Sequence, residues 1–132
     1  MDDVRAALDW LANEFRLPII FAGFSFGAAV GLRACCPDPR VPALISLGTP
    51  VAAEGRVYSY DFLQDCRKPK LFVSGAEDPF APHEEIERVV ERAADPKKLV
   101  WISHADHFFE GKLRELRTAI EEWTREILKS QL

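Results

Sequence analysis

The sequence predicts an α/β protein, a mostly parallel sheet of about four strands with helices on both faces. Three observations carry the prediction. Short apolar runs alternate with amphipathic stretches along the chain, as in successive βαβ units. The apolar runs are nearly continuous rather than alternating in and out, which marks strands covered on both faces. The first run also enters a helix-like segment through Gly23-Phe24-Ser25-Phe26-Gly27, a turn whose glycines remove side chains where strand and helix cross.

Each element follows from its own pattern. Asp2 to Phe15 places Val4, Ala7, Leu8, Leu11 and Phe15 at helical spacing. Pro18 to Ala22 reads as a short buried strand. Gly27 to Cys36 is an Ala- and Gly-rich helix suited to close packing, and it stops before Pro37-Asp38-Pro39. Val41 to Leu47 is a second strand, ending at Gly48-Thr49-Pro50. Val51 to Lys68 breaks the alternation; its aromatic stretch Tyr58 to Leu63 reads as a short helix or a loop. Lys70 to Ser74 is a third strand, bounded by Pro69 and Gly75. Pro82 to Ala94 is a helix with Ile86, Val89, Val90 and Ala93 on one side. Asp95-Pro96 makes a turn, and Lys98 to Ile102 is a fourth strand. Gly111 to Leu132 closes the chain as a helix striped by Leu113, Leu116, Ile120, Trp123 and Ile127. The stripes face a core, and residues 1–132 are expected to form one domain.

Composition narrows the partners. The 132 residues are 48% hydrophobic and 29% charged, with a net charge of −4. An acidic balance leaves no basic footprint for nucleic acid. No apolar run approaches the roughly 18 residues of a membrane span, and the acidic start lacks the pattern of a signal peptide. Cys35, Cys36 and Cys66 are an odd number, and two of them are neighbours on a helix, a poor geometry for a bridge. A reduced, cytoplasmic setting is expected. The cysteines lack C-x-x-C spacing, so no metal site is expected. No cofactor is expected either, because the first βα turn has neither G-x-G-x-x-G nor a phosphate-loop lysine.

G-x-S-x-G between a strand and a helix is the setting of a nucleophile elbow, which thrusts the serine hydroxyl out at the C-terminal edge of the sheet. The bare pattern arises by chance in a chain of this length at odds of about 4%, so partners for Ser25 decide its worth. In an open parallel sheet, active groups gather at the C-terminal strand ends. Gly75-Ala76-Glu77-Asp78-Pro79 follows the third strand, and Ser103-His104-Ala105-Asp106-His107-Phe108-Phe109 follows the fourth. Glu77 competes with Asp78 for an acid role, and His104 competes with His107 for a base role. A loop is needed between strand end and base, which favours His107. Asp106 reads as a loop-bonding carboxylate, and His83, near a helix start, as solvent-facing.

From Gly23 to Phe109 the chain resembles the C-terminal half of an α/β-hydrolase, of the small lidless kind related to dienelactone hydrolases and carboxylesterases. G-F-S-F-G, G-A-E-D-P and A-D-H-F-F carry the resemblance, in the family order Ser, Asp, His. It implies cleavage of a small-molecule carboxylic ester or thioester through an acyl-enzyme. Ser25 would be the nucleophile, His107 the general base and Asp78 the acid that orients it. The backbone N–H of Phe26 would be an oxyanion donor. Phe24 and Phe26 flank the serine and would touch substrate. Phe80, Phe108, Phe109, Tyr58, Tyr60 and Phe62 are further candidates for an apolar pocket. Too few residues separate Gly48 from Lys70 for a lid.

The family sheet has about four more strands before the helix with which this chain begins, and a loop after one of them supplies the second oxyanion donor. No residue here takes that role. The serine-bearing strand is therefore expected at a sheet edge. Two expectations follow: an N-terminally truncated piece of a longer hydrolase, or a short chain that covers its edge by self-association or by binding a separate N-terminal half. The alternative function is a catalytically silent module that associates through that edge.

Overall fold

The computed structural model describes residues 1–53 and 55–130. Helix α1 (Asp2–Phe15) leads through a left-handed Arg16 into strand β1 (Ile20–Phe24). Helix α2 (Phe26–Cys35) and strand β2 (Ala43–Leu47) follow. Two-residue strands β3 (Ala52–Ala53) and β4 (Arg56–Val57) pair antiparallel. A 3-10 helix (Asp61–Asp65) precedes β5 (Lys70–Gly75), α3 (His83–Arg92), β6 (Lys97–Ile102) and α4 (Leu113–Ser130).

The four longer strands form one sheet in the order β1-β2-β5-β6, and every neighbouring pair is parallel. Helices cover both faces, as the apolar runs predict. Leu8, Leu32, Leu44, Phe72, Ile86 and Val90 build the core under α1, α2 and α3. Ile45, Leu71, Val73, Ile102, Trp123 and Ile127 build the core under α4. Along β2 and β5 successive residues alternate between the two cores, which explains why these strands read as unbroken apolar runs. Strand β1 lies at one end of the sheet, with β2 as its neighbour. This is the edge position expected for the serine-bearing strand.

Three buried or half-buried lysines tie helix ends below the sheet. Lys70, 1% exposed, donates to Ala94 O at 2.6 Å, just past α3. Lys68 donates to Cys35 O at 2.8 Å and to Asp38 O, at the end of α2. Lys97 donates to Glu91 O at 2.7 Å and to Ala93 O at 2.8 Å. Each ammonium satisfies carbonyls that have no partner inside the helix and complements the negative end of the helix dipole.

Several boundaries differ from the sequence reading. Strand β1 runs two residues further than expected because Gly23 and Phe24 pair with Ser46 and Leu47 of β2. The sheet ladder thus continues up to the turn itself. The segment 51–68 contains the β3–β4 hairpin, which the pattern did not signal, and a 3-10 helix within the aromatic stretch. The last two residues of the predicted closing helix, Gln131 and Leu132, lie outside the described residues.

Candidate active site

The turn between β1 and α2 holds Ser25 at φ 54°, ψ −122°. Positive φ is costly for a residue with a side chain and persists where surrounding structure over-determines it. Two constraints do so here. Ser25 N–H donates to Leu47 O at 2.9 Å, locking the turn to β2. Strand and helix also press together at Gly23, where a Cβ would stand 2.8 Å from Gly27 O and 2.9 Å from Ala28 Cα. A side chain at position 23 would separate the two elements that aim the serine.

Asp78 and His107 come from the loops after β5 and β6. Those loops are stitched together: Ala76 N–H donates to Ile102 O and Glu77 N–H to Ala105 O, both at 2.9 Å. They meet at Gly75, whose absent Cβ would stand 2.5 Å from Ala105 O and would also strike Asp106 O. Asp106 organises its loop, as expected. Its Oδ1 accepts Phe108 N–H at 3.0 Å and Glu110 N–H at 3.1 Å.

The three residues form one hydrogen-bonded chain. Ser25 Oγ lies 2.8 Å from His107 Nε2, and His107 Nδ1 lies 2.7 Å from Asp78 Oδ2. An ionised carboxylate only accepts, so Nδ1 carries the proton and Nε2 is left to accept from the serine hydroxyl. Asp78 Oδ1 accepts Phe80 N–H at 2.8 Å, which fixes the carboxylate plane. Asp78 and His107 are 5% and 6% exposed, so the pair is withdrawn from solvent competition. Three rings enclose the imidazole. Phe24, Phe80 and Phe108 have centroids 5.2, 4.9 and 5.2 Å from that of His107. Gly48, at φ +57°, passes beneath it; a Cβ there would lie 3.4 Å from His107 Cε1.

The rivals lie elsewhere. His104 is exposed, and its near partner is Glu77, 3.9 Å away and also exposed. Neither joins the Ser25 chain. His83 is exposed as expected but not idle: its ring stacks on Trp101 at 3.9 Å, and Nε2–H donates to Ala76 O at 2.8 Å.

The wider aromatic set divides. Phe24 and Phe26 flank Ser25 and are 41% and 54% exposed, leaving apolar surface beside the hydroxyl. The Arg56 guanidinium sits 5.8 Å from the Phe26 ring centroid. Phe109, by contrast, is 2% exposed and belongs to the core under α4. Tyr60 is buried and donates to Pro50 O at 2.6 Å, and Phe62 lies under Arg33. Phe109 and Tyr60 are thus buried in other contacts, and Phe62 is half-buried against Arg33.

Phe26 is the first residue of α2, so its N–H has no acceptor within the helix. The positive end of the helix dipole adds to it. A serine at positive φ, a buried histidine–carboxylate pair and the first backbone N–H of α2 thus meet at the C-terminal ends of the strands.

Comparison with known proteins places the chain in a family. A family model described as "Alpha/beta hydrolase domain" matches residues 1–131. The chain belongs to the alpha/beta hydrolase family. It is similar to a solved alpha-beta serine hydrolase homologue from Coxiella burnetii, at 34% identity and a TM-score of 0.76, covering 95% of this chain and 57% of that one. It is also similar to a Xanthomonas campestris a/b serine hydrolase without lid, at 29% identity and a TM-score of 0.76, covering 95% of this chain and 55% of that one. Among curated sequences, an uncharacterized protein of Rickettsia prowazekii is 28% identical over 128 residues, 92% of this chain and 53% of that protein. The chain thus spans about half the length of the relatives it matches.

Proposed function

We propose that this protein is a serine hydrolase that cleaves a carboxylic ester or thioester through an acyl-enzyme. The observation that carries the reading is the Ser25–His107–Asp78 hydrogen-bonded chain, with links of 2.8 and 2.7 Å. In this mechanism Ser25 Oγ attacks the substrate carbonyl while His107 Nε2 takes the hydroxyl proton. Asp78 holds the imidazole in the required tautomer and stabilises the imidazolium. Phe26 N–H donates to the oxyanion of the tetrahedral intermediate. The intermediate collapses, the carbonyl–leaving group bond breaks, and His107 returns the proton to the departing oxygen or sulfur. Water, activated by the same imidazole, then releases the acid. Phe24 and Phe26 offer an apolar wall to the substrate, which suits a neutral acyl or aromatic group. The reading includes action in the cytoplasm on a small molecule. It is tested by incubation with a fluorophosphonate probe and mass mapping of the adduct. The label is expected on Ser25 and lost on heat denaturation; folded protein that leaves Ser25 unlabelled would overturn it.

A second reading is favoured by one observation, the position of β1 at the end of the sheet beside exposed Trp10, Phe15 and Leu17. In it the chain is a catalytically silent module that associates through this edge, with a second copy or with an N-terminal half of the fold. A stable monomer with esterase turnover would eliminate it.

A further inference from the structure

Phe108 has no part in the mechanism above, yet it follows His107 directly and leans on it. Its ring centroid lies 5.2 Å from that of the imidazole, edge to face at 80°. The backbone holds it there. His107 and Phe109, on either side, are 6% and 2% exposed, and Phe108 N–H donates to Asp106 Oδ1 at 3.0 Å. Between two buried neighbours the Phe108 ring stands 66% exposed. Phe24, 41% exposed, lies beside it, with its centroid 6.0 Å from that of Phe108 and 5.2 Å from that of His107. Single phenylalanines on a surface need no explanation, but two in contact with each other and with one buried imidazole make an apolar patch with a place in the site. Phe80, the third ring on the imidazole, is half-buried. The open aromatic surface against His107 is therefore that of Phe24 and Phe108.

We propose that Phe24 and Phe108 form the leaving-group subsite, and that the substrate is an ester of an arylalkyl alcohol. The position follows from proton transfer. His107 Nε2, 2.8 Å from Ser25 Oγ, takes the serine proton and hands it to the departing oxygen. That oxygen must come within about 2.6–3.2 Å of Nε2 when the proton moves. The carbonyl–oxygen bond breaks, the oxygen gains the proton, and the acyl group stays on Ser25 Oγ. The carbons of the leaving alcohol then lie against the rings that border the imidazole, whereas the acyl chain extends from a carbonyl held at Phe26 N–H. The chemistry of the border selects the group. A substrate ring meeting Phe24 and Phe108 edge to face or offset gains more than a saturated ring of the same size, because the ring faces are negative and the edges positive. The subsite has meaning only if His107 protonates a leaving group, so it rests on the hydrolase reading above. It adds Phe108 to the substrate's surroundings and puts the aromatic group on the alcohol side of the ester.

The test compares kcat/KM for phenethyl acetate and cyclohexylethyl acetate, whose alcohols have matched acidity. The saturated ring is the more apolar, so plain burial favours it and an aromatic subsite favours its rival. The protein is expected to prefer phenethyl acetate by about two- to tenfold. Phe108→Leu keeps an apolar side chain, removes the ring and should bring the ratio to about one. Ethyl phenylacetate and ethyl cyclohexylacetate carry the same rings on the acyl side and should show no aromatic preference in either protein. No preference for phenethyl acetate, a preference that survives Phe108→Leu, or one that appears on the acyl side would each overturn the subsite. Fluorophosphonate labelling of the same samples separates the two readings. Label on Ser25 and turnover without aromatic preference remove the subsite alone; absence of label and turnover removes the hydrolase reading and the subsite with it. The wild-type ratio decides alone if the variant fails to fold.

Discussion

At the residue scale, the proposed chemistry depends on where one proton sits. His107 Nδ1–H is fixed by Asp78, which is in turn fixed by Phe80 N–H. An asparagine at 78 would present an amide that can donate to Nδ1, favouring the tautomer whose Nε2 bears the proton and cannot accept from Ser25. Asp78→Asn should therefore lower kcat for ester hydrolysis by about 10⁴-fold with little change in melting temperature. Steady-state rates on an aryl ester, with thermal unfolding in parallel, check this. An equal loss from His104→Ala would show that the base has been misassigned. The meeting of Ser25, Asp78 and His107 was legible because all three follow strand ends, and strand ends are marked by apolar runs breaking into Gly, Pro and Asp. Phe80 N–H and Gly48 were not legible as parts of the site. Their roles lie in backbone placement, which side-chain identity does not report.

At the scale of elements, the site is a set of close approaches held by glycine. Gly75 marks the contact between the Asp78 and His107 loops, where an added Cβ meets backbone carbonyls that cannot rotate away. Gly75→Ala should part the loops, cost stability by about 1–3 kcal/mol and lower turnover together with it. Chemical denaturation and rate measurement on the same samples check the coupling. A different contact joins α1 to the turn after α2. Arg40 donates to Asp38 Oδ1 at 3.0 Å and Oδ2 at 2.7 Å, and to Asp9 Oδ1 at 2.6 Å. The side-chain hydrogen bonds from Arg40 are the first cause that lowers the Asp38 pKa from 3.8 to about 2. A depressed carboxylate stabilises the fold above its unfolded pKa, and that contribution is lost as pH falls through the folded value. Arg40→Met should therefore melt earlier than wild type near neutral pH, with the gap closing between pH 3.8 and about 2. A gap that persists below that window would trace the effect to packing of the arginine stem. The same scale shows where sequence reading ran out. Long elements with regular periodicity were placed to within a few residues, but the β3–β4 hairpin has two residues per strand, too few for any period.

At the scale of the molecule, the sheet ends in two edge strands: β6 has β5 as its neighbour, and β1 has β2 on one side of its ladder. An edge strand with apolar neighbours pairs with other chains unless it is covered or charged. Trp10, Phe15 and Leu17, at 58%, 55% and 68% exposed, stand at this end of the fold and carry no charge to prevent it. The described chain should therefore self-associate reversibly. Leu17→Lys removes apolar area and adds a charge without disturbing a buried side chain. Losing one such side chain from an interface is worth about 1.5 kcal/mol, so association should weaken by roughly tenfold while the melting temperature of the monomer holds. Sedimentation equilibrium over a concentration series measures both states. A monomer at every concentration would mean that the edge is quiet in solution. It would also remove the second functional reading in its self-associating form, leaving the hydrolase reading to be decided by labelling at Ser25.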